Sequence, residues 1–237
     1  MTIVSLFSAR ACPFAHRTRL VLAEKAVAFE LTEIDLQNKP HGFTAVSAYG
    51  KVPAIEHEGH RLFESAIINE YLDEVFPSPP LLPADAGRRA LARIWIDYAN
   101  TRFVPAFSGL LRTESPAAED AARAALDGVL EFVEHEGLGK LSSGGPFWFG
   151  PSITLVDFAF YPWFERLPAL RHYRDYSLPK RLARLEAWRE AVSQLASVKG
   201  QQNATAYYVD RYARFARSAT PQAPLQVQSS ETVAQRA

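Results

Sequence analysis

The sequence predicts an α/β unit followed by an all-helical unit, and three observations carry that expectation. Residues 3–76 alternate compact apolar runs of strand length with stretches of helical pattern. Pro77-Ser78-Pro79-Pro80 and Leu81-Leu82-Pro83 then break every regular pattern, which marks a linker. Beyond them apolar residues recur at three- and four-residue spacing, the period of helices with one buried face.

Taken in order, Ile3-Val4-Ser5-Leu6-Phe7 reads as a strand, closed by small, turn-prone residues at 8–11. A helix starts at Pro13, whose fixed φ suits a first helical position, and runs through Leu20 and Val21 toward Ala26. Residues 29–34 form a second strand. Two short strands at 52–55 and 61–63 flank Glu56-His57-Glu58-Gly59, a turn ending in Gly. Ser65 then caps a helix that reaches about Phe76. Strand, helix, strand, connection and hairpin together make an α/β unit with an antiparallel end.

In the second half, Leu91, Ile94, Trp95 and Tyr98 mark one buried helix face, and Leu126, Val129, Leu130 and Val133 another. Leu182, Leu185, Val192 and Leu195 mark a third. Gly144-Gly145-Pro146 is a loop. Thr154-Leu155-Val156-Asp157 has the form of a capping box, with Asp in place of Glu or Gln, and opens a buried helix that Pro162 should kink or shift in frame. The domains expected are 1–79 and 80–217. Residues 218–237, rich in Ser, Thr, Gln and Pro, read as a disordered tail.

The 237 residues carry 26 basic and 26 acidic side chains with no sustained run of one sign, which argues against a nucleic-acid surface. No apolar stretch approaches the roughly 20 residues that span a bilayer, and the N-terminus lacks a signal-peptide pattern. Cys12 is the single cysteine, so no intrachain disulfide forms, and a cytoplasmic, reducing compartment is expected. The six histidines show no metal-ligand spacing, and no metal is expected.

Cys12 stands at the strand-to-helix junction. A cysteine there faces free backbone N–H groups and the positive end of the helix dipole, which favour the thiolate and predict a depressed pKa. A buried, inert cysteine is the competing reading of the residue type. The residue three beyond is Ala15, so a dithiol cycle is excluded and a small thiol must resolve any mixed disulfide. Pro53 at the start of a strand leaves backbone groups of Val52 open to an extended ligand, although Val-Pro is equally an ordinary bend, and a cis bond there is compatible with the sequence. Glu64-Ser65 at a helix start offers a carboxylate beside an anion-binding N-terminus, a pair that suits an amino acid with both charges. His16, one turn past Cys12, is read as facing solvent.

Ala11-Cys12-Pro13-Phe14-Ala15-His16-Arg17-Thr18-Arg19-Leu20-Val21-Leu22 resembles the active-site segment of omega-class glutathione transferases. Asn38-Lys39-Pro40, Lys51-Val52-Pro53-Ala54-Ile55 and residues 64–74 are similar to that family's later glutathione-site segments. Residues 152–157 and 162–167 are similar to segments of its helical half. The resemblance runs from about residue 3 to about 215, although the sequence starts close to its first strand, without the N-terminal extension of animal members.

The resemblance implies a thioredoxin-like N-terminal domain followed by an all-α C-terminal domain, usually paired as a homodimer. It implies that Cys12 is the nucleophile that forms a mixed disulfide with glutathione as cosubstrate. By the same resemblance Phe14 and Lys39 line the glutathione site, Val52 with Pro53 binds the cysteinyl unit, and Glu64 and Ser65 hold the γ-glutamyl end. Tyr161, Trp163 and Arg166 are the candidate walls of the second-substrate pocket. The function implied is a glutathione-dependent thiol transferase or reductase acting on mixed disulfides, dehydroascorbate or aryl and phenacyl derivatives of glutathione. A lyase for aromatic glutathione thioethers fits the same Cys12. A binding protein that kept the fold and lost turnover is opposed by the intact set Cys12, Lys39, Val52, Pro53, Glu64 and Ser65.

Overall fold

A computed structural model describes residues 3–216; the tail expected at 218–237 lies outside the described residues. The first half opens with β1 (Val4–Ser8), α1 (Pro13–Glu24) and β2 (Phe29–Glu33), then β3 (Ala54–His57), β4 (His60–Phe63) and α2 (Ser65–Val75). The sheet order is β2-β1-β3-β4, with β1 parallel to β2 and antiparallel to β3. A parallel pair needs a crossover of helix length, which α1 supplies. β1 alternates buried Val4, Leu6 and Ser8 with partly exposed residues, while edge strand β2 is mostly exposed.

The hairpin differs from its expected form. His57 pairs with His60, so the turn is the two residues Glu58 and Gly59, both with positive φ (49° and 80°). Two left-handed residues make the tight turn whose twist matches the flanking strands, and Glu58 takes the first of these positions without being glycine.

The second half is helical: α3 (Ala86–Tyr98), α4 (Val104–Arg112), α5 (Pro116–Phe132), α6 (Gly139–Leu141), α7 (Leu155–Phe164), α8 (Leu167–Arg174), α9 (Ala183–Ser193), α10 (Ala196–Lys199) and α11 (Thr205–Tyr212). π-helical turns at Ala99–Phe103 and Val133–Leu138 link α3 to α4 and α5 to α6. The expected helix through Leu195 is two helices, and α7 contains Pro162 and ends two residues later. The expected α3 face is also corrected. Trp95 is buried with Ala92 and Ile96, whereas Ile94 is 60% exposed and Leu91 39%.

One apolar core runs from Val4 and Leu6 of the sheet through Leu20, Val21 and Leu22 into Phe103, Trp148, Phe158 and Phe160. Residues Ala15 to Leu22 of α1 are all buried, because α1 packs on α2 and on α7. The segment between the halves is pinned from both sides. The buried Lys25 ammonium lies 2.6 Å from Asp73 Oδ1 and donates to the carbonyls of Phe76 and Pro79, each at 2.7 Å. Asp73 Oδ1 also accepts from Leu81 N–H, and Leu81 C=O accepts from Leu155 N–H at 2.8 Å. Every polar group in that chain has a partner, as buried groups require.

Candidate active site

Cys12 is the N-cap of α1, with extended backbone (φ −76°, ψ 120°) and Pro13 as the first helical residue. Its half-buried thiol donates to the carbonyl of Val52 at 3.7 Å. The N–H groups of Phe14 and Ala15 act on the sulfur and lower its pKa, as do the charges of Arg166 and Arg19. Burial outweighs them and pushes the thiol above its ordinary value, which corrects the expected depression. The helix N-terminus is present as the sequence implied, but removing the sulfur from water penalises its charged form more.

The turn that presents Cys12 is held by two buried arginines. Arg19 donates to Ser8 Oγ at 2.6 Å, to Ala9 C=O at 3.3 Å and to Arg10 C=O at 3.2 Å. From the helical half, Arg166 donates to Ala11 C=O at 3.2 Å and to Pro162 C=O at 2.5 Å, and stacks on the Tyr208 ring at 4.4 Å. Arg166 Nη1 also lies 3.3 Å from His16 Nδ1. Arginine only donates, so His16 accepts there and carries its proton on Nε2, which faces Glu165 Oε2 at 3.8 Å. His16 is fully buried, contrary to the solvent-facing expectation, and burial holds its pKa well below the usual range, so it is neutral.

Arg17, buried beside it, joins several expected site residues. It donates to Ser65 Oγ at 3.3 Å, to Asn100 Oδ1 at 2.7 Å and twice to Ala159 C=O, at 2.9 and 2.6 Å. Its guanidinium lies 4.6 Å from the Trp163 ring centre and 5.1 Å from that of Phe14, and those two rings meet edge-on at 5.0 Å. Burial lowers Arg17 to about 9, which leaves it cationic at neutral pH. Ser65 is the first residue of α2 and not its cap. The cap is exposed Glu64, at φ 71° and ψ 109°, a conformation that costs a non-glycine residue about 1–3 kcal/mol. Val52–Pro53 is cis, and both residues are buried. Lys39 is exposed in the loop ahead of the 3₁₀ turn Phe43–Ala45.

A cavity of about 210 Å³ opens at Cys12, walled by Phe14, by Val104, Phe107 and Leu111 of α4, and by Trp163 and Tyr212. Of the three pocket residues expected from the sequence, only Trp163 lines it. Tyr161 lines a separate cavity of about 1210 Å³ with Phe164 and Glu165. Residues two apart on a helix point about 200° from one another, so Tyr161 and Trp163 cannot share a wall. Arg166 lies buried behind the Cys12 turn. Sequence reading missed Arg17 and Arg19 as site residues. The signal was two arginines inside an apolar helix that has no consistently polar face.

The arrangement offers one nucleophilic sulfur on a cavity wall, an apolar lining, and a helix start with buried Ser65 and exposed Glu64 nearby in the fold. The glutathione S-transferase N-terminal domain family matches residues 3–74, and the C-terminal domain family matches residues 116–191. Mouse glutathione S-transferase omega-1 is 34% identical over 168 residues, 70% of this chain and 68% of that protein. The solved structure of glutathione transferase Omega 3C from Trametes versicolor superposes with TM-score 0.80 at 28% identity, covering 90% of each chain. Rice GST1, solved in complex with glutathione, superposes with TM-score 0.81 at 29% identity, covering 91% of this chain and 97% of that one. A thioredoxin-like sheet unit followed by a helical unit, matched in both halves, places the chain in the glutathione S-transferase family, where its relatives include the omega class.

Proposed function

We propose that the protein is a glutathione-dependent thiol transferase that works through Cys12. The observation that carries this reading is the sulfur itself. It sits at the start of α1, on the wall of the apolar cavity, in a chain with no second cysteine. The Cys12 thiolate attacks the glutathione sulfur of a mixed disulfide, the second thiol leaves as its thiolate, and Cys12 is left joined to glutathione. A second glutathione thiolate then attacks that disulfide, releasing oxidised glutathione and restoring Cys12. Ping-pong kinetics follow. Both steps need thiolates, so burial of Cys12 makes the first step faster as pH rises. Measuring thiol transfer and conjugation to a chloronitrobenzene on one preparation tests the reading. Thiol transfer should dominate, and strong conjugation with negligible transfer would overturn it.

Glutathione is assigned to Phe14, Val52, Pro53, Glu64 and Ser65, with Lys39 reaching its glycine carboxylate. Support comes from the buried first residue of α2, whose N-terminus favours an anion, and from exposed Glu64 for the ammonium group. Lys39→Ala and Ser65→Ala should each weaken glutathione binding by roughly tenfold, since a hydrogen bond to a charged group contributes about 1.5–3 kcal/mol and exposure reduces the Lys39 share. Unchanged affinity in both variants by titration calorimetry would move the site elsewhere.

The same reading includes a homodimer. Ile67 on α2 and Ile94 on α3 are each 60% exposed, and Arg93 of α3 pairs with Glu70 of α2. Large apolar side chains left this exposed on two ion-paired helices support an association face. Sedimentation at micromolar concentration should give twice the chain mass of 26.4 kDa, and Ile67→Asp with Ile94→Asp should give the single-chain mass. A single-chain mass for the unaltered protein would refute the dimer.

A further inference from the structure

The rim of the Cys12 cavity is chemically unlike its walls. Three arginines line it: Arg112 at the end of α4, Arg211 on α11, and Arg214 in the 3₁₀ turn Ala213–Phe215. Arg112 and Arg214 both stack on the Phe215 ring, at 4.8 and 4.7 Å, which fixes two guanidiniums on one aromatic plate. Arg211 lies 3.9 Å from Asp210, which points into solvent with 82% of its side chain exposed. Among the described residues, no carboxylate lines the cavity. The adjoining cleft, which shares Leu36, Arg112, Arg214 and Phe215 with it, adds Gln37 and one carboxylate, Glu114. The chain as a whole is neutral, so three cations at one mouth are a local feature. Such a ring concentrates anions at the opening, and guanidinium groups match a carboxylate in geometry.

We propose that the second substrate is an aromatic thiol compound bearing a carboxylate. Its ring enters the cavity against Phe14, Phe107 and Trp163, and its carboxylate stays at the rim with Arg112 and Arg211. This rests on the thiol-transfer reading and specifies its substrate class. In that reaction the Cys12 thiolate bonds to the glutathione sulfur of the mixed disulfide, the sulfur–sulfur bond breaks, and the aromatic thiolate leaves with the electron pair. Held at the rim, the carboxylate directs the departing aromatic sulfur outward along the cavity.

Two mixed disulfides of glutathione test this, one with 5-thio-2-nitrobenzoate and one with neutral 4-nitrothiophenol. Each releases a coloured thiolate. In the unaltered protein kcat/KM should favour the carboxylated compound about tenfold or more, mostly through KM, and the ratio should shrink as salt is raised from 20 to 500 mM, because screening shortens the reach of exposed charges. Arg112→Gln with Arg211→Gln should bring the ratio close to one, while the corresponding double lysine variant should retain most of it. A ratio near one in the unaltered protein, or one unmoved by the glutamines, overturns the inference and leaves thiol transfer standing. Glutathione carries carboxylates too, so its Kd is measured on the same variants. If the glutamines weaken glutathione binding and spare the ratio, the arginines belong to glutathione and the inference falls. Release of thiolate from neither compound overturns both readings.

Discussion

Cys12→Ser should abolish thiol transfer, by about 10³-fold or more in kcat, while glutathione still binds within a fewfold of its original affinity. The size follows from removing the only nucleophile that can carry the covalent intermediate. Binding survives because most of the groups assigned to glutathione lie on other elements, with Val52 before β3 and Glu64 and Ser65 at the start of α2. Stopped turnover with retained binding distinguishes a lost nucleophile from a collapsed site, and residual transfer near the original rate would remove Cys12 from the mechanism. The unaltered protein gives a companion measurement. Burial pushes the thiol up, so the rate of alkylation against pH should bend above the free-cysteine value of about 8.5. Arg166→Gln should move that bend higher still, since it removes a nearby positive charge along with the contact to the Ala11 carbonyl. A bend well below 8.5 would show that the helix N-terminus and the arginines outweigh burial.

The second large effect is on stability. Asp157→Ala should destabilise the fold by about 3–5 kcal/mol, a midpoint loss of roughly 10 °C in a chain of this size. Asp157 is fully buried and accepts four hydrogen bonds. Thr154 N–H and Thr154 Oγ1 donate at 2.7 Å to Oδ2, and Trp148 N–H at 3.1 Å and Trp188 Nε1 at 2.7 Å donate to Oδ1. Alanine would strand all four donors where water cannot replace the acceptor. The same carboxylate closes the capping box of α7, the helix that packs on α1 and carries Trp163. Asp157→Asn keeps one acceptor oxygen and should lose less. Burial raises Asp157 to about 6 against those four donors. A carboxyl with a raised folded pKa favours the folded state most below its free value of about 4, and that contribution is lost as pH rises through about 6. The stability gap between the unaltered protein and Asp157→Ala should therefore be wider at pH 4–5 than at pH 8. Thermal unfolding at both pH values checks size and sign, and a loss below about 1 kcal/mol would mean the network is dispensable.

Local chemistry determined much of the first half. A compact apolar run at residues 3–7, Pro13 after a turn, and two apolar runs around a Gly turn were enough to read strand, helix and hairpin, since each signal acts over a few residues. The capping box at Thr154 was legible for the same reason, as was Cys12 at a helix start. Where two continuations were compatible with the chain, contacts decided. The hairpin closed on two residues because pairing His57 with His60 completes the ladder. Ile94 and Leu91 satisfied the helical period yet faced outward, because Ala92, Trp95 and Ile96 lie toward Trp148 and α7.

Charge was least legible of all. The burial of Arg17, Arg19 and Arg166 depends on carbonyls supplied by residues up to 155 positions away, which no local pattern specifies. The thiol of Cys12 follows the same rule. Its place on a helix start came from sequence alone, but the sign of its pKa shift depends on how much water the tertiary structure removes. Sequence by itself determined which groups stand where along each element. Only the tertiary structure decided which were buried, and burial sets the energy of a charge.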